Sequence, residues 1–382
     1  MKIAIVHNLP HGGQKRALYV QSKRLSQRHK LSLFCPSTID DEYLPLTPFL
    51  DEKYVLNFKF PPHFPRSLIS IYFQLPSYYQ RLADKINNGN YDVAFVHPCY
   101  LTQSSFILKY LTIPSVYYCP EPKREFYEYI PRVSNILSYY ATLPLRLPIK
   151  WIDRQNARYA TKVLTNSEYS RKIIKKVYGI NSSVNYLGVD AQVFALGSDP
   201  ETYNMVLTVG EFSLHKGHDF IIRSLAKVPL HIRPSLIIVG HSGIEKNYLL
   251  KLANKFGVEI SIEEEVNDTR LVELYQKAKI FLYAARNEPF GLVLLEAIAC
   301  GLPIIAVAEG GVKEIISSDK IGTLTYRDED EFSTAIEKYL SKELTMKQRL
   351  ERYNLVKKNW SWDKSVNELE KHLERVVNEG NS

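Results

Sequence analysis

The sequence predicts an α/β protein built on parallel sheets and divided into two domains. Short apolar runs alternate with helical patterns along the whole chain, as in successive strand–helix–strand units. At 382 residues the chain has room for two domains of ordinary size. Several predicted strands run into polar or glycine-bearing turns at residues 7–13, 119–125, 210–217 and 309–311. Such turns lie at the carboxyl ends of parallel strands, where open α/β sheets bind ligands.

The bulk numbers narrow the class. A hydrophobic content of 45% and a charged content of 24% are those of a globular protein. No apolar run approaches the ~18 residues of a membrane span. Residues 1–6 turn polar too soon for a signal peptide and read as a first buried strand. Cys35, Cys99, Cys119 and Cys300 show no paired spacing, which argues against a disulfide framework or a zinc site and fits a reducing cytoplasm. A net charge of +8 favours anionic partners: phosphates, acidic glycans or the anionic inner face of a membrane. No nucleic-acid motif accompanies that charge.

The elements follow in order. Residues 2–6 form a strand, the turn 7–13 ends in Gly12-Gly13, and a helix runs over 14–28 before a strand at 31–35. A glycine pair ahead of a helix permits close approach to a ligand, or is simply a tight turn. Residues 40–79, rich in Pro, Tyr and Phe, carry no clear pattern. Strands follow at 91–97 and 113–118. Arg146, Lys150, Arg154, Arg158 and Lys162 then recur at every fourth position. They read as a stripe along one helix face, either merely solvated or a surface for anionic lipid headgroups or an acidic acceptor. A strand at 163–165 leads to a helix capped by Asn166-Ser167. Residues 184–187 precede Gly188-Val189-Asp190, and 191–204 read as the interdomain linker. Further strands are expected at 205–209, 236–239, 258–262, 280–284, 304–308 and 323–326, with helices between them and a helical tail broken near Trp360-Ser361-Trp362.

The most informative stretch is 285–301, a loop leading into an apolar helix that carries one charge, Glu296. Pro289 suits the first helical position and Gly301 the left-handed position after the end. The free N–H groups near Gly291, Leu292 and Val293 form an anion site favoured by the helix dipole. Glu296 lies one turn on, on the same face, and Glu288 sits just ahead. Two carboxylates flanking a phosphate-sized site suit a ligand with hydroxyls on either side of a diphosphate. The plainer alternative is a buried helix whose glutamates are paired or solvated.

Read together, these segments resemble a retaining glycosyltransferase of the GT-B fold, of the group 1 or family 4 class. The resemblance runs nearly end to end: Gly12-Gly13, Ser167 with Gly188-Val189-Asp190, the Gly210…Lys216-Gly217 loop, and Glu288-x7-Glu296 leading to Gly301-Leu302-Pro303. It implies two Rossmann-like parallel-sheet domains facing across a cleft. Residues 1–195 would bind the acceptor, 196–358 the nucleotide sugar, and a final helix at 359–382 would cross back to the first domain. It further implies that Glu288 contacts the transferred sugar, Glu296 the ribose hydroxyls and Lys216 the donor diphosphate. The backbone around Phe290, Gly291, Leu292 and Val293 would take the distal phosphate, and Gly12 and Gly13 would lie near the diphosphate. No metal and no other cofactor is expected. The partners implied are a nucleotide-sugar donor, a glycan or lipid-linked acceptor, and an anionic membrane surface; nucleic acid is not among them.

Two positions depart from the family pattern. Glu211 follows Gly210 where an arginine is common; either it points away or a cation such as Arg286 substitutes. Pro120 stands where a histidine is common, leaving Glu121 as the candidate for that polar role. A catalytically weak partner subunit that binds a nucleotide sugar or a membrane is the alternative these departures raise. A nicotinamide dehydrogenase is disfavoured because no Gly-x-Gly-x-x-Gly follows a strand.

Overall fold

In the computed structural model, all residues are described except 40–42, 62, 129–135, 198–202, 242 and 381–382. The chain divides into two compact units, Met1–Tyr186 with Trp362–Ser382, and Leu187–Ser361.

The first unit is a seven-stranded sheet. Its strands are β1 (Lys2–Asn8), β2 (Lys30–Pro36), β3 (Glu52–Leu56), β4 (Val93–Cys99), β5 (Ser115–Tyr118), β6 (Lys162–Thr165) and β7 (Ser183–Val184), in the order 3-2-1-4-5-6-7. All these pairings are parallel. The second sheet has six strands: β8 (Met205–Val209), β9 (Ser235–Gly240), β10 (Ile260–Glu264), β11 (Ile280–Tyr283), β12 (Ile304–Val307) and β13 (Gly322–Thr325). Their order is 10-9-8-11-12-13, again all parallel. These are two Rossmann-like parallel-sheet domains, the GT-B class of α/β fold. Helices on both faces explain why β1, β4 and β11 read as almost unbroken apolar runs rather than alternating ones. Each unit has its own core, one around Ala4, Tyr79, Val96 and Tyr117, the other around Val206, Ile221, Leu282 and Ile305.

The structure corrects the sequence reading at several places. The described part of the unassigned stretch 40–79 contains β3 and helical turns at Arg66–Ile69 and Ser70–Gln74, continuing into the helix Leu75–Asn87. β3 is an edge strand with little burial, so it carries no buried alternation to recognise. The chain passes between units at Tyr186–Leu187 rather than at 195. Residues just beyond are packed on the second unit: the Val189 N–H donates to the Trp360 carbonyl at 2.8 Å, and Gln276 Nε2 donates to Ala195 O at 2.9 Å. The later part of the expected linker, 198–202, lies outside the described residues. The helix Trp362–Gly380 lies against Gly13–Leu25 in the first unit. It is tied there by Arg24–Asp363 at 2.9 Å and His29–Glu370 at 2.7 Å.

Pro289 is not a helix-starting residue. The helix spans Leu292–Ala299, and its N-cap is Gly291 at φ 101, a backbone conformation that a β-carbon disfavours. Gly301, at φ 83, takes the expected left-handed position after the end.

Candidate functional site

The strand order of the second sheet reverses between β8 and β11, so the loops leaving these strands diverge and open a crevice. Both loops carry the residues singled out by sequence. The β8 loop closes on Gly217 at φ 66, where a β-carbon would lie 2.2 Å from the Ala284 carbonyl oxygen at the end of β11. Glycine therefore lets the two loops touch. The Arg286 N–H donates to His215 O at 2.7 Å and fastens them together.

Across this seam Lys216 Nζ lies 2.8 Å from Glu288 Oε2, with both side chains partly exposed. The stem of Lys216 crosses Gly210, where a β-carbon would come within 3.0 Å of Lys216 Cγ. The loop is held from beneath by His218, a residue sequence reasoning missed. Its buried ring places Nε2 3.3 Å from both the Gly210 and Glu211 carbonyl oxygens. Two acceptors require the proton on Nε2, and burial lowers its pKa to about 4, so the ring is neutral and donates. Glu211 is half-buried, and its carboxylate enters no ion pair among the described residues.

Glu288 precedes the first turn of Leu292–Ala299, whose leading N–H groups lack intrahelical acceptors. Glu296 is 5% exposed, and its carboxylate accepts from the buried Tyr275 hydroxyl at 3.2 Å. Tyr275 OH also lies 3.3 Å from Val293 O. Tyr275 is the polar partner that a carboxylate on an apolar helix demands. Its position 21 residues upstream, on another helix, gave no local signal.

The residues around this seam are held by contacts of their own. Phe290 is buried edge-on to Trp360, a packing position for its ring. Gly310 and Gly311 accommodate the protein's own backbone: β-carbons there would lie 2.3 Å from Glu288 O and 2.2 Å from Pro289 O. Arg327 forms a forked pair with Glu309 at 2.8 and 2.7 Å, and donates to Ala284 O at 3.0 Å. Burial lowers the Arg286 pKa, and the neighbouring Arg327 cation adds to the effect. The Asp328-Glu329-Asp330 run is a helix cap, with Asp328 accepting from the Asp330 and Glu331 N–H groups. Among the described residues, no group of three or more His, Cys, Asp or Glu could hold a metal ion.

In the first unit Gly12 is the N-cap of Gly13–Leu25, at φ 132. Glu121, in the loop after β5, is ion-paired with Arg124, which also pairs with Glu128 at 2.8 Å. The Glu121 carbonyl accepts from Gln103 Nε2 at 2.8 Å, joining the loops after β4 and β5. Asp153, which the sequence did not flag, holds the same loops from below. It accepts from Ser104 Oγ at 2.8 Å, Ser104 N at 3.1 Å, Lys123 N at 3.3 Å and Tyr178 OH at 2.7 Å.

The basic stripe does not lie on one exposed face. Arg146 turns inward to pair with Glu125, and its Nη2 donates to Tyr139 O at 2.7 Å. Lys150 sits 4.8 Å over the Tyr127 ring, and Arg158 donates to Tyr178 O at 2.9 Å. Lys162 belongs to β6, beyond the helix Ile136–Ala157. Of the three on that helix Arg154 is exposed, and Arg158, just past its end, is exposed as well. A four-residue repeat overshoots the 3.6-residue turn by ~40° each step, so the series winds around the helix.

Residues 193–357 match the family model described as glycosyl transferases group 1, and residues 11–193 match glycosyltransferase family 4. An uncharacterized glycosyltransferase of Methanocaldococcus jannaschii is 33% identical over 140 residues, covering 36% of each chain. The D-inositol 3-phosphate glycosyltransferase of Mycolicibacterium smegmatis is 29% identical over 189 residues, covering 45% of this chain and 43% of that one. The chain thus matches less than half the length of these curated relatives. HepE of Anabaena, solved with UDP and glucose, superposes with a TM-score of 0.76 at 18% identity, covering 98% of this chain and 100% of that one. WaaG, a glycosyltransferase involved in lipopolysaccharide biosynthesis, gives 0.69 at 18% identity over 98% of this chain and 99% of that one. At such identities the likeness concerns the fold.

Proposed function

The chain belongs to the glycosyltransferases of group 1 and family 4, and from that premise we propose that it moves a sugar from a nucleotide-diphosphate donor to a glycan or lipid-linked acceptor, with retention of configuration. The observation that carries the site assignment is the Lys216–Glu288 pair, 2.8 Å apart at the switch point and beside the first turn of Leu292–Ala299. The UDP and UDP-glucose bound to HepE make uridine donors the first to test.

In this reading the bond from the anomeric carbon to the diphosphate oxygen breaks, and its electron pair leaves with the phosphate. Charge grows on that phosphate as the sugar takes on oxocarbenium character. In the same reading Lys216 and the helix N–H groups stabilise that charge without a metal ion. Glu288 accepts hydroxyls of the sugar, and Glu296, steadied by Tyr275, accepts those of the ribose. The acceptor oxygen bonds on the face the phosphate leaves, and a phosphate oxygen takes its proton. Glu121, already held by Arg124, is assigned a supporting part at the acceptor side. The four buried free thiols support a reducing cytoplasmic compartment, and the likeness to WaaG, a glycosyltransferase involved in lipopolysaccharide biosynthesis, supports a place in polysaccharide or glycolipid synthesis.

Glu211, where related chains often carry a cation, supports a second reading: a donor-binding subunit with little turnover. Hydrolysis of UDP-, GDP- and ADP-sugars separates the two. Lys216→Ala and Glu288→Ala are each expected to lower transfer about 10²- to 10³-fold at an unchanged thermal midpoint. Full turnover in both variants would remove the site assignment. Donor binding without sugar release by the unmodified protein would favour the second reading. Proton NMR of the first-formed product checks retention.

A further inference from the structure

The helix Ile136–Ala157 turns an apolar side to solvent. At ~100° per residue, Leu137, Ala141, Pro144, Pro148 and Trp151 fall within ~80° of arc. Leu137 is 83% and Trp151 65% exposed, with Tyr140, Leu145 and Leu147 about half exposed on the flanks. The adjoining turns Arg66–Ile69 and Ser70–Gln74 pack on this helix through Leu68, Ile71 and Ile149, and add exposed Ile69 and Phe73. So large an apolar surface is unusual on a chain that works free in solution.

The charges around it are of one sign. Residues 63–83 contain no acid, and the single acid of Ile136–Ala157, Asp153, is fully buried. The exposed ions are cations: Arg154, one turn beyond Trp151, and Arg66, one turn before Ile69. Lys172, Lys175 and Lys176 are exposed on the next helix, Glu168–Tyr178, which packs against Ile136–Ala157.

We propose that this face docks on an anionic phospholipid bilayer. Leu137, Pro144, Pro148, Trp151 and Phe73 would sink ~5–10 Å into the boundary between headgroups and acyl chains. Trp151 and Tyr140 suit that depth because each joins an apolar ring to a polar group. Arg66 and Arg154 meet the lipid phosphates. A second copy of this chain is a poorer occupant, since pairing like faces brings cationic rims together. No helix among the described residues is long and apolar enough to cross a membrane, so the contact runs along the surface. This surface belongs to the first unit and the Lys216–Glu288 pair to the second, and its test does not depend on donor chemistry.

The test is flotation of the full chain with phosphatidylcholine vesicles, with and without phosphatidylglycerol, together with tryptophan emission. Trp362 is buried and Trp360 is half-buried against Phe290, so a blue shift on binding reports chiefly on exposed Trp151. The wild type is expected to float with the anionic vesicles alone, and to release as salt rises. Trp151→Glu combined with Phe73→Glu is expected to weaken partition at least ten-fold, and Arg154→Ala about five-fold. Both should keep the wild-type thermal midpoint and nucleotide binding, because the altered side chains face solvent. The proposal fails if the wild type floats with neither vesicle or equally with both, or if the variants float as it does. A concentration-dependent dimer dissolved by Trp151→Glu would make the occupant a second copy and overturn it as well.

Discussion

Lys216 and Glu288 stand 72 residues apart in sequence yet share an ion pair at 2.8 Å. Their residue types were legible in the chain, because each lies on a loop leaving a predicted strand. Their pairing was not, because it depends on β8 and β11 being neighbours in the sheet. The supporting residues were harder to see. Tyr275 and Asp153 act through side chains aimed at segments distant in sequence, and His218 turns back onto the loop just before it; nothing in their local sequence marks them. Asp153 gives a prediction at this scale. Burial raises its carboxyl from the ordinary 3.8 to about 6. The folded state therefore holds this proton more tightly than the unfolded chain does. Its contribution to stability is fully present below pH ~4 and is lost as pH rises through about 6. Urea unfolding of wild type and Asp153→Asn at pH 5, 6 and 7.5 should show that this part of the pH slope disappears in the variant. Identical slopes would mean that the carboxyl does not titrate in that window.

Among the elements, the strands and the Glu296 helix were read closely, the loops and edges less so. Strand cores announce themselves as apolar runs between turns, whereas exposed β3 does not. The helix start was misjudged because Pro289 and Gly291 both suit an N-terminus, and the contact with Gly311 draws Pro289 into the loop. Glycine contacts of this kind make a contrast to test. Gly217 and Gly257 both have positive φ, but only at Gly217 does a β-carbon meet backbone, 2.2 Å from Ala284 O; at Gly257 nothing lies within 4 Å. Gly257→Ala should cost ~1 kcal/mol, the penalty of a left-handed alanine. Gly217→Ala should cost clearly more and lower nucleotide affinity, since the two loops must part. Denaturant midpoints and nucleotide titration check both, and equal costs at the two positions would refute the close-packing argument.

For the whole molecule, two separate cores predict two unfolding transitions in calorimetry. UDP should raise one of them, that of Leu187–Ser361, by ~2.7 kcal/mol at a hundred-fold excess over its dissociation constant. Movement of both together would show that the units unfold as one. Acid should weaken the fold in each unit. Burial holds His97 at about 3 and His218 at about 4, against an ordinary 6.5. The unfolded chain binds these protons more readily, so the stability present above pH ~6.5 declines as pH falls toward 4. His218→Gln should reduce that decline.

The sequence by itself determined the α/β class, the parallel sheets, the positions of nearly all strands and the stretch around Glu288 and Glu296. Those features rest on short-range patterns: apolar runs, turn residues and a helix stop. Tertiary structure alone decided which loops meet, which polar side chains hold them, and which side of Ile136–Ala157 faces water. The basic series at every fourth residue was visible in the chain, but the packing that turned Arg146 inward and left Trp151 exposed was not. A side chain's direction is settled by what its helix packs against, and that information lies in contacts far removed along the chain.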